Sequence, residues 1–590
     1  MKNLLIIAIL LAVLGTGCNK DFLERYPKTS ITPSQYFNTP TDLQTYTNGF
    51  YSQISAQYSD LYSDNISMYT MATTTENLIR GNISPSTVGG WSDWGTLRQI
   101  NVLLANAGRT QGDPVAIKHY TGIAKFFRAL YYINKVQTYG DVPWYSTPID
   151  VNDTADLYKP KDPRTLVVDS IMNDLEYAAT NISTSISGDN SRITKWAAYT
   201  LLAKFALWEG TYREYHTELN LTSTYSRFLQ RAASATDTVI NNGGFAIVGS
   251  SASDYRALFS SPSLSGNKEV IFLQVNSSKL GIANNTHIVY NTYWGLTNVL
   301  ANQFLMANGT PFTSQPGYNT ESYLQIFNNR DPRFAETIAP PAFSTTPGGS
   351  PSLTSPAFGG LMQVKFFPRD PSLRGGWVLD YTDLPIFRYA EILLINAEAK
   401  AESGALTQTV LDNTINKLRN RVGMPPLNMA TANANPDAYM AGLYPLVTGA
   451  NKGVILEIRR ERNAEMSCEG LRFLDLLRWK AGNLLANAPQ GIYIAALGGQ
   501  DVTGDGVPDL AIFKDKSSTF SVPGLPSNAP VYYTDGTSGI YLSNGTSGFI
   551  MFSKNVSSPR QWLDKYYYLP IPAAQITLSN NVLTQPTGWQ

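Results

Sequence analysis

Hydrophobic periodicity is the tightest constraint on this chain. Residues 116–139, AIKHYTGIAKFFRALYYINKVQTY, place Ile123, Phe126, Phe127, Leu130, Ile133 and Val136 at helical spacing. A strand cannot share that face, because its side chains alternate. Gly140 ends the run and Pro143 follows. Asp162-Pro163 opens another helix, with Leu166, Val167, Ile171 and Leu175 on one face. Residues 193–209 and 225–242 continue the theme, the former with Ala and Leu at close-packing positions. A second block starts at Leu384, where Ile386, Ala390, Leu393 and Ala397 form one stripe that Gly404 ends. Residues 409–421 and 453–480 are expected to be further helices.

Between and after these blocks the texture changes. Residues 243–380 and 485–560 are rich in Gly, Ser, Pro, Asn and Thr, with short β-like runs such as VIFLQV. The expected fold is therefore mainly α. Helical hairpins with small residues at their contacts, similar to tetratricopeptide units, form a scaffold. Long loops and small β pieces on that scaffold carry the ligand surface.

The N-terminus is a separate problem. Lys2 is followed by the apolar run Leu4–Leu14 and then by Gly15, Thr16, Gly17 and Cys18. The run is too short for a bilayer core of ~30 Å and reads as a signal peptide. LGTGC resembles a bacterial lipobox, so Cys18 is expected to be lipidated and to start the mature chain. Each buried methylene contributes ~0.8 kcal/mol, so several acyl chains hold a soluble body at a membrane. Asn19 is not the aspartate of inner-membrane retention, while Asp21 and Glu24 weakly resemble an acidic surface-export signal. The division is then 1–17 signal peptide and 18–590 one body, with parts at about 18–380 and 381–590.

Composition excludes some functions. Lys plus Arg equals Asp plus Glu at 45 each, and no long basic run points to nucleic acid. The three histidines, His119, His216 and His287, form no zinc-binding pair in sequence. No nucleophile elbow or phosphate loop occurs. Glu457, Glu461 and Glu465 share a helix face, but the interleaved Arg459, Arg460, Arg462, Arg472 and Arg478 would keep them all ionised. An ion-pair network is expected there, and no enzyme activity. Cys468 is expected to be a small buried filler. Asp501, Thr503, Asp505 and Asp509 have the spacing of a calcium loop around Gly506, set against a plain Asp-Gly turn. No cofactor is otherwise required.

Aromatics reach 12 %, including 34 Tyr and 10 Trp, which suits stacking on neutral polar ligands or an aromatic core. GGWSDWGTLRQIN sets Trp91 and Trp94 beside Asp93 and Arg98; VYNTYWGLTN sets Tyr290, Tyr293 and Trp294 beside Asn291 and Asn298. Trp94 is expected to pack under the helix that follows it, and Trp196, Trp208, Trp479 and Trp562 to be core.

Several stretches in order resemble the SusD/RagB-type outer-membrane lipoproteins of Bacteroidota. They are DFLERYPKTSITPSQYFNTPTDLQTYTNGFY, FRALYYINKVQTYGDVPWYSTPI, NKEVIFLQV, NNRDPRFAETI, LPIFRYAEILLINAEAKAESG, IRRERNAEMSCEGLRFLDLLRW and YYYLPIPAAQITLSNNVLTQPTGW. The resemblance implies a non-catalytic surface protein lying over a SusC-like TonB-dependent transporter. Such a protein captures oligosaccharides, or in some members peptides, for import, and faces the cell exterior on a lipid anchor in the outer membrane. It also implies ligand contacts at Trp91 and Trp294, with Tyr293, Asp64, Asn65 and Arg80. A lipid-anchored glycan hydrolase and a purely structural partner of the transporter are the other readings.

Overall fold

The computed structural model describes residues 36–68, 73–150, 152–290, 292–552 and 559–590. The signal peptide and Cys18 lie outside them. The helical frame is built from α1 (Pro40–Asn48), α2 (Trp94–Asn106), α3 (Pro114–Tyr139), α4 (Arg164–Asn181), α5 (Lys195–Tyr215) and α6 (Tyr225–Asn242). It continues with α7 (Tyr389–Glu402), α8 (Gln408–Asn413), α9 (Ile415–Arg421), α10 (Lys452–Met466) and α11 (Arg472–Arg478). Each end of α3 has a local cause. Asp113 caps it by accepting from the N–H groups of Val115 and Ala116 at 3.0 and 3.3 Å, and Gly140 leaves it at φ 77°.

The frame is a serial stack: α3 packs on α4, α4 on α5, α5 on α6, α6 on α7 and α7 on α10. The short link 216–224 makes α5 and α6 a hairpin. Their approach is close because Gly210 lacks a side chain; a Cβ there would lie 2.8 Å from a Leu229 methyl group. The tetratricopeptide-like scaffold expected from periodicity is what the chain forms.

Small sheets fill the rest. β1 (Ile66–Met68) pairs with β3 (Trp294–Leu296), and β2 (Val270–Gln274) with β4 (Leu384–Arg388), both antiparallel. β5 (Gln490–Ile494), β10 (Gly548–Phe552) and β9 (Ile540–Leu542) form one three-stranded sheet. β6 (Gly498–Gln500), β7 (Leu510–Phe513) and β8 (Val531–Tyr533) form another. One apolar core lies among the helices and a second beneath the mid-chain insert and the C-terminal sheets.

Three helical expectations are corrected. The stripe starting at Leu384 begins as strand β4, because β2 offers it a hydrogen-bonding edge; the helix starts only at Tyr389. The stretch 409–421 breaks at Thr414, which adopts φ −126° and ψ −91°. The stretch 453–480 breaks after Met466. There the buried Asp60 carboxylate accepts from the N–H groups of Cys468 and Gly470 at 2.8 and 3.0 Å and draws the chain out of helical register. No helix among the described residues is long and apolar enough to cross a membrane.

Candidate ligand-binding surface

The most exposed aromatic platform sits in the mid-chain insert. Gly375 N–H donates to Leu379 O and Leu379 N–H to Gly376 O, both at 3.0 Å, closing a tight loop. Gly376 at φ 121° permits that path, and Val378 follows at φ 55°. The base of the loop is pinned. Asn284 and Asp380 exchange backbone hydrogen bonds at 2.9 and 3.1 Å, and Val378 N–H donates to the Asn285 side-chain oxygen at 3.0 Å. The buried Asp380 carboxylate accepts from His287 N–H at 2.7 Å and lies 2.8 Å from His287 Nδ1. Trp377 stands on this base with 60 % of its surface exposed. Its ring meets Tyr293 edge to face, with centroids 6.2 Å apart and planes at 86°. Leu280, Ile282, Val378 and Leu379 are exposed on the same short segments. An open indole face beside a tyrosine hydroxyl is suited to stacking against the C–H face of a neutral polar ligand.

Of the ligand residues expected from sequence, only Tyr293 belongs to this platform. Trp294 points the other way along β3, is 3 % exposed and donates its indole N–H to Gln363 Oε1 at 3.0 Å. Tyr293 lies in the bend just before β3, whose three residues are all buried, so the two rings part where the loop enters the strand. Trp91 is 4 % exposed and meets Trp94 and Tyr139 edge to face at 5.4 and 4.9 Å. Trp94, expected underneath, is the more exposed of the two. Asp64 is buried in a bidentate pair with Arg472, 2.8 Å to both Nε and Nη2. Asn65 is buried between Asp60 and Asn463, donating at 2.9 and 2.8 Å. Arg80 pairs with Glu76 at 3.1 Å, one turn away, and its side chain is largely covered. These five residues make internal contacts and show little surface, although Trp91 still lines two cavities beside Trp94 and Tyr139.

The loop Asp501–Asp509 closes on itself. Asp501 accepts from the N–H groups of Gly504 and Gly506 at 2.7 and 2.9 Å, and Asp509 from those of Val502 and Thr503 at 2.8 and 2.9 Å. Asp505 caps Val507 N–H at 2.8 Å, and Thr503 Oγ1 donates to Asp509 at 3.1 Å. Among the described residues no three acidic, His or Cys side chains converge to hold a metal ion. The loop's own backbone N–H groups thus bond to its carboxylates.

The charged helix α10 lies in an ion-pair network, but the arginines that hold Glu461 and Glu465 come from other elements and are not the interleaved ones expected. Glu465 lies within 3.0 Å of Arg333, Arg388 and Arg421, and Glu461 within 2.9 Å of Arg333 and Arg419. Burial alone would push the Glu465 carboxyl up; the guanidiniums of Arg421, Arg388 and Arg333 overcome it and hold the group below the usual range. A carboxylate so fixed cannot exchange a proton near neutrality. Cys468 is fully buried, as expected of a small filler.

Trp377 was not among the residues expected from sequence. Gly375-Gly376-Trp377 repeats the pattern of Gly89-Gly90-Trp91, in the Gly/Pro-rich texture that marks a display loop.

Comparison with known proteins fits this architecture. A family model described as "SusD family" matches residues 260–589, and one described as "Starch-binding associating with outer membrane" matches residues 21–207. The SusD-like protein P2 of Formosa agariphila is 24 % identical over 525 residues, covering 82 % of this chain and 92 % of that protein. A SusD-like protein of Bacteroides fragilis has the same fold, with TM-score 0.66 at 21 % identity over 96 % of this chain and all of that one. A laminarin-binding SusD-like protein aligns with TM-score 0.53 at 19 % identity, covering 94 % of this chain and all of its own. The chain belongs to the SusD family.

Proposed function

We propose that this protein is a lipid-anchored, non-catalytic glycan receptor of the outer cell surface that passes oligosaccharides to a SusC-like TonB-dependent transporter. The single observation that carries the reading is the exposed Trp377 ring held against Tyr293 on a hydrogen-bonded base. An aromatic of that size costs free energy in water unless a ligand covers it. Family membership supports the reading, as do the starch-binding description of the model matching residues 21–207 and the laminarin binder that shares the fold. The locked carboxylates of α10 speak against hydrolysis from that helix.

Calorimetric titration of neutral oligosaccharides into wild type and Trp377→Ala tests it. Wild type is expected to bind and return the sugar uncut, and the variant to bind at least about tenfold more weakly, ~1.4 kcal/mol. Binding of peptides alone would favour the peptide-import reading, and cleaved sugar a hydrolase. Unchanged binding by Trp377→Ala would remove the platform from the account.

A further inference from the structure

A second aromatic-walled cleft lies away from Trp377, on the flank of α3. Asn134, Gln137 and Thr138 occupy positions i, i+3 and i+4 and so share one face of that helix. They border a cavity of about 340 Å³. Its walls come from distant parts of the chain: Tyr62, Phe473 and the Tyr566–Tyr568 run. Tyr62 is 49 % exposed and sits 6.4 Å from Phe473, with planes at 60°. Its backbone is fixed where Thr75 Oγ1 donates to Tyr62 O at 3.2 Å.

Two features define what this cleft accepts. Among the described residues, none that lines it is charged. Two of the polar groups it offers, the side-chain amides of Asn134 and Gln137, have no hydrogen-bond partner among the described residues, whereas the Thr75 and Thr138 hydroxyls already donate to Tyr62 O and Asn134 O. An unpaired carboxylate or sulfate entering such a cleft would shed water without gaining a counter-charge, a cost of several kcal/mol. A hydroxyl loses little, because an amide can both donate to it and accept from it. The aromatic walls suit the apolar C–H faces of the same ligand.

We infer that this cleft is a second carbohydrate site, selective for neutral over anionic oligosaccharides. It rests on the glycan reading above but uses none of the Trp377 platform. A protein holding one sugar chain at two points gains avidity without any new contact at either. The cleft's lack of charge also weighs against peptides, whose termini and ionised side chains would find no partner.

The test is calorimetric titration of the full-length protein in detergent. The neutral probes are maltoheptaose, laminarihexaose, xylohexaose and mannohexaose. Oligogalacturonate and oligoalginate are the anionic probes, and a tryptic digest of casein is the peptide probe. Three proteins are compared: wild type, Tyr62→Ala with Gln137→Ala, and Trp377→Ala. Asn134→Ala, at an exposed position, guards against misfolding of the double variant, and unfolding midpoints are checked throughout. The expected result is at least one neutral oligosaccharide bound at two sites in wild type. The double variant loses one site, Asn134→Ala weakens that site several-fold, and Trp377→Ala retains it. Anionic probes bind the cleft at least about tenfold more weakly. A neutral ligand indifferent to Tyr62, Gln137 and Asn134 but lost with Trp377 would overturn this inference and leave the proposed function standing. Equal binding of anionic probes, peptide binding lost in the double variant, or no neutral probe bound would also overturn it.

Discussion

Gly89-Gly90-Trp91 and Gly375-Gly376-Trp377 are the same tripeptide, and the fold treats them oppositely. The first indole is 4 % exposed and the second 60 %. Both follow a glycine with positive φ, 94° at Gly90 and 121° at Gly376. The backbone differs at the ring itself, since Trp91 adopts φ 73° and Trp377 has no positive φ, and so does the neighbour. Trp91 lands against the C-terminal half of α3, where Lys135 and Tyr139 stand one turn apart. The Lys135 ammonium lies 5.3 Å from the Trp91 ring centre, and Tyr139 meets it edge-on at 4.9 Å. Trp377 lands on a loop whose hydrogen bonds are spent at its base, and Tyr293 is its aromatic neighbour. A glycine pair therefore signals a tight turn; whether the next side chain is core or contact surface depends on what that turn faces.

The comparison is broken most directly by removing each ring. Trp91→Ala is expected to destabilise the fold by about 3–5 kcal/mol, as loss of a packed core aromatic does. Trp377→Ala is expected to stay within about 0.5 kcal/mol. Urea midpoints measure both, and equal losses would end the distinction. In sugar binding the ranking reverses: the properly folded fraction of Trp91→Ala should bind normally.

Acid sharpens the contrast, because the helix that buries Trp91 carries a proton-sensitive group and offers a control. Burial pushes His119 on α3 down to about 4 from 6.5, and its Nδ1 accepts from Ser183 N–H at 3.0 Å, which requires the neutral ring. Below pH 6.5 the unfolded chain takes up this proton before the folded one does. Stability contributed by neutral His119 is therefore present above pH 6.5 and is lost as pH falls toward about 4. The loss should reach about 2–3 kcal/mol, and His119→Gln should flatten it, read as urea midpoint against pH.

The glycines give the smallest effects and the finest test. Gly90→Ala meets both an unfavourable φ and a Tyr139 hydroxyl 2.9 Å from the new Cβ, and should cost about 2 kcal/mol. Gly376→Ala meets strain but only an ordinary contact, a Leu379 methyl 3.9 Å from the new Cβ, and should cost about 1 kcal/mol. By turning Trp377 it should also weaken sugar binding a few-fold, whereas Gly90→Ala should not.

Much of the frame was legible before the structure. The run 225–242 is α6 to the residue, and 116–139 extends by only two residues at its N-terminus, to Pro114. Both succeed because periodicity and end signals agree. The failures share a cause. The stretch 453–480 reads as one helix, yet Asp60, some four hundred residues away, binds the N–H groups of Cys468 and Gly470 and splits it. In the same way Asp64 and Asn65 read as free polar groups until Arg472 and Asn463 arrive to occupy them. A sequence window shows the hydrogen-bonding capacity of a side chain but not which distant partner consumes it.

By itself, then, the sequence determined the helical scaffold, the loop-rich texture between its blocks and the pairing of the α10 carboxylates as such, though not with the distant arginines that hold Glu461 and Glu465. Each follows from local spacing and residue chemistry. Only the tertiary structure decided which aromatics reach solvent. That outcome turns on long-range packing: α3 covers Trp91, Gln363 ties down Trp294, and the pinned loop lifts Trp377 clear. Exposure is a property of neighbours, and neighbours in this fold come from residues hundreds of positions apart.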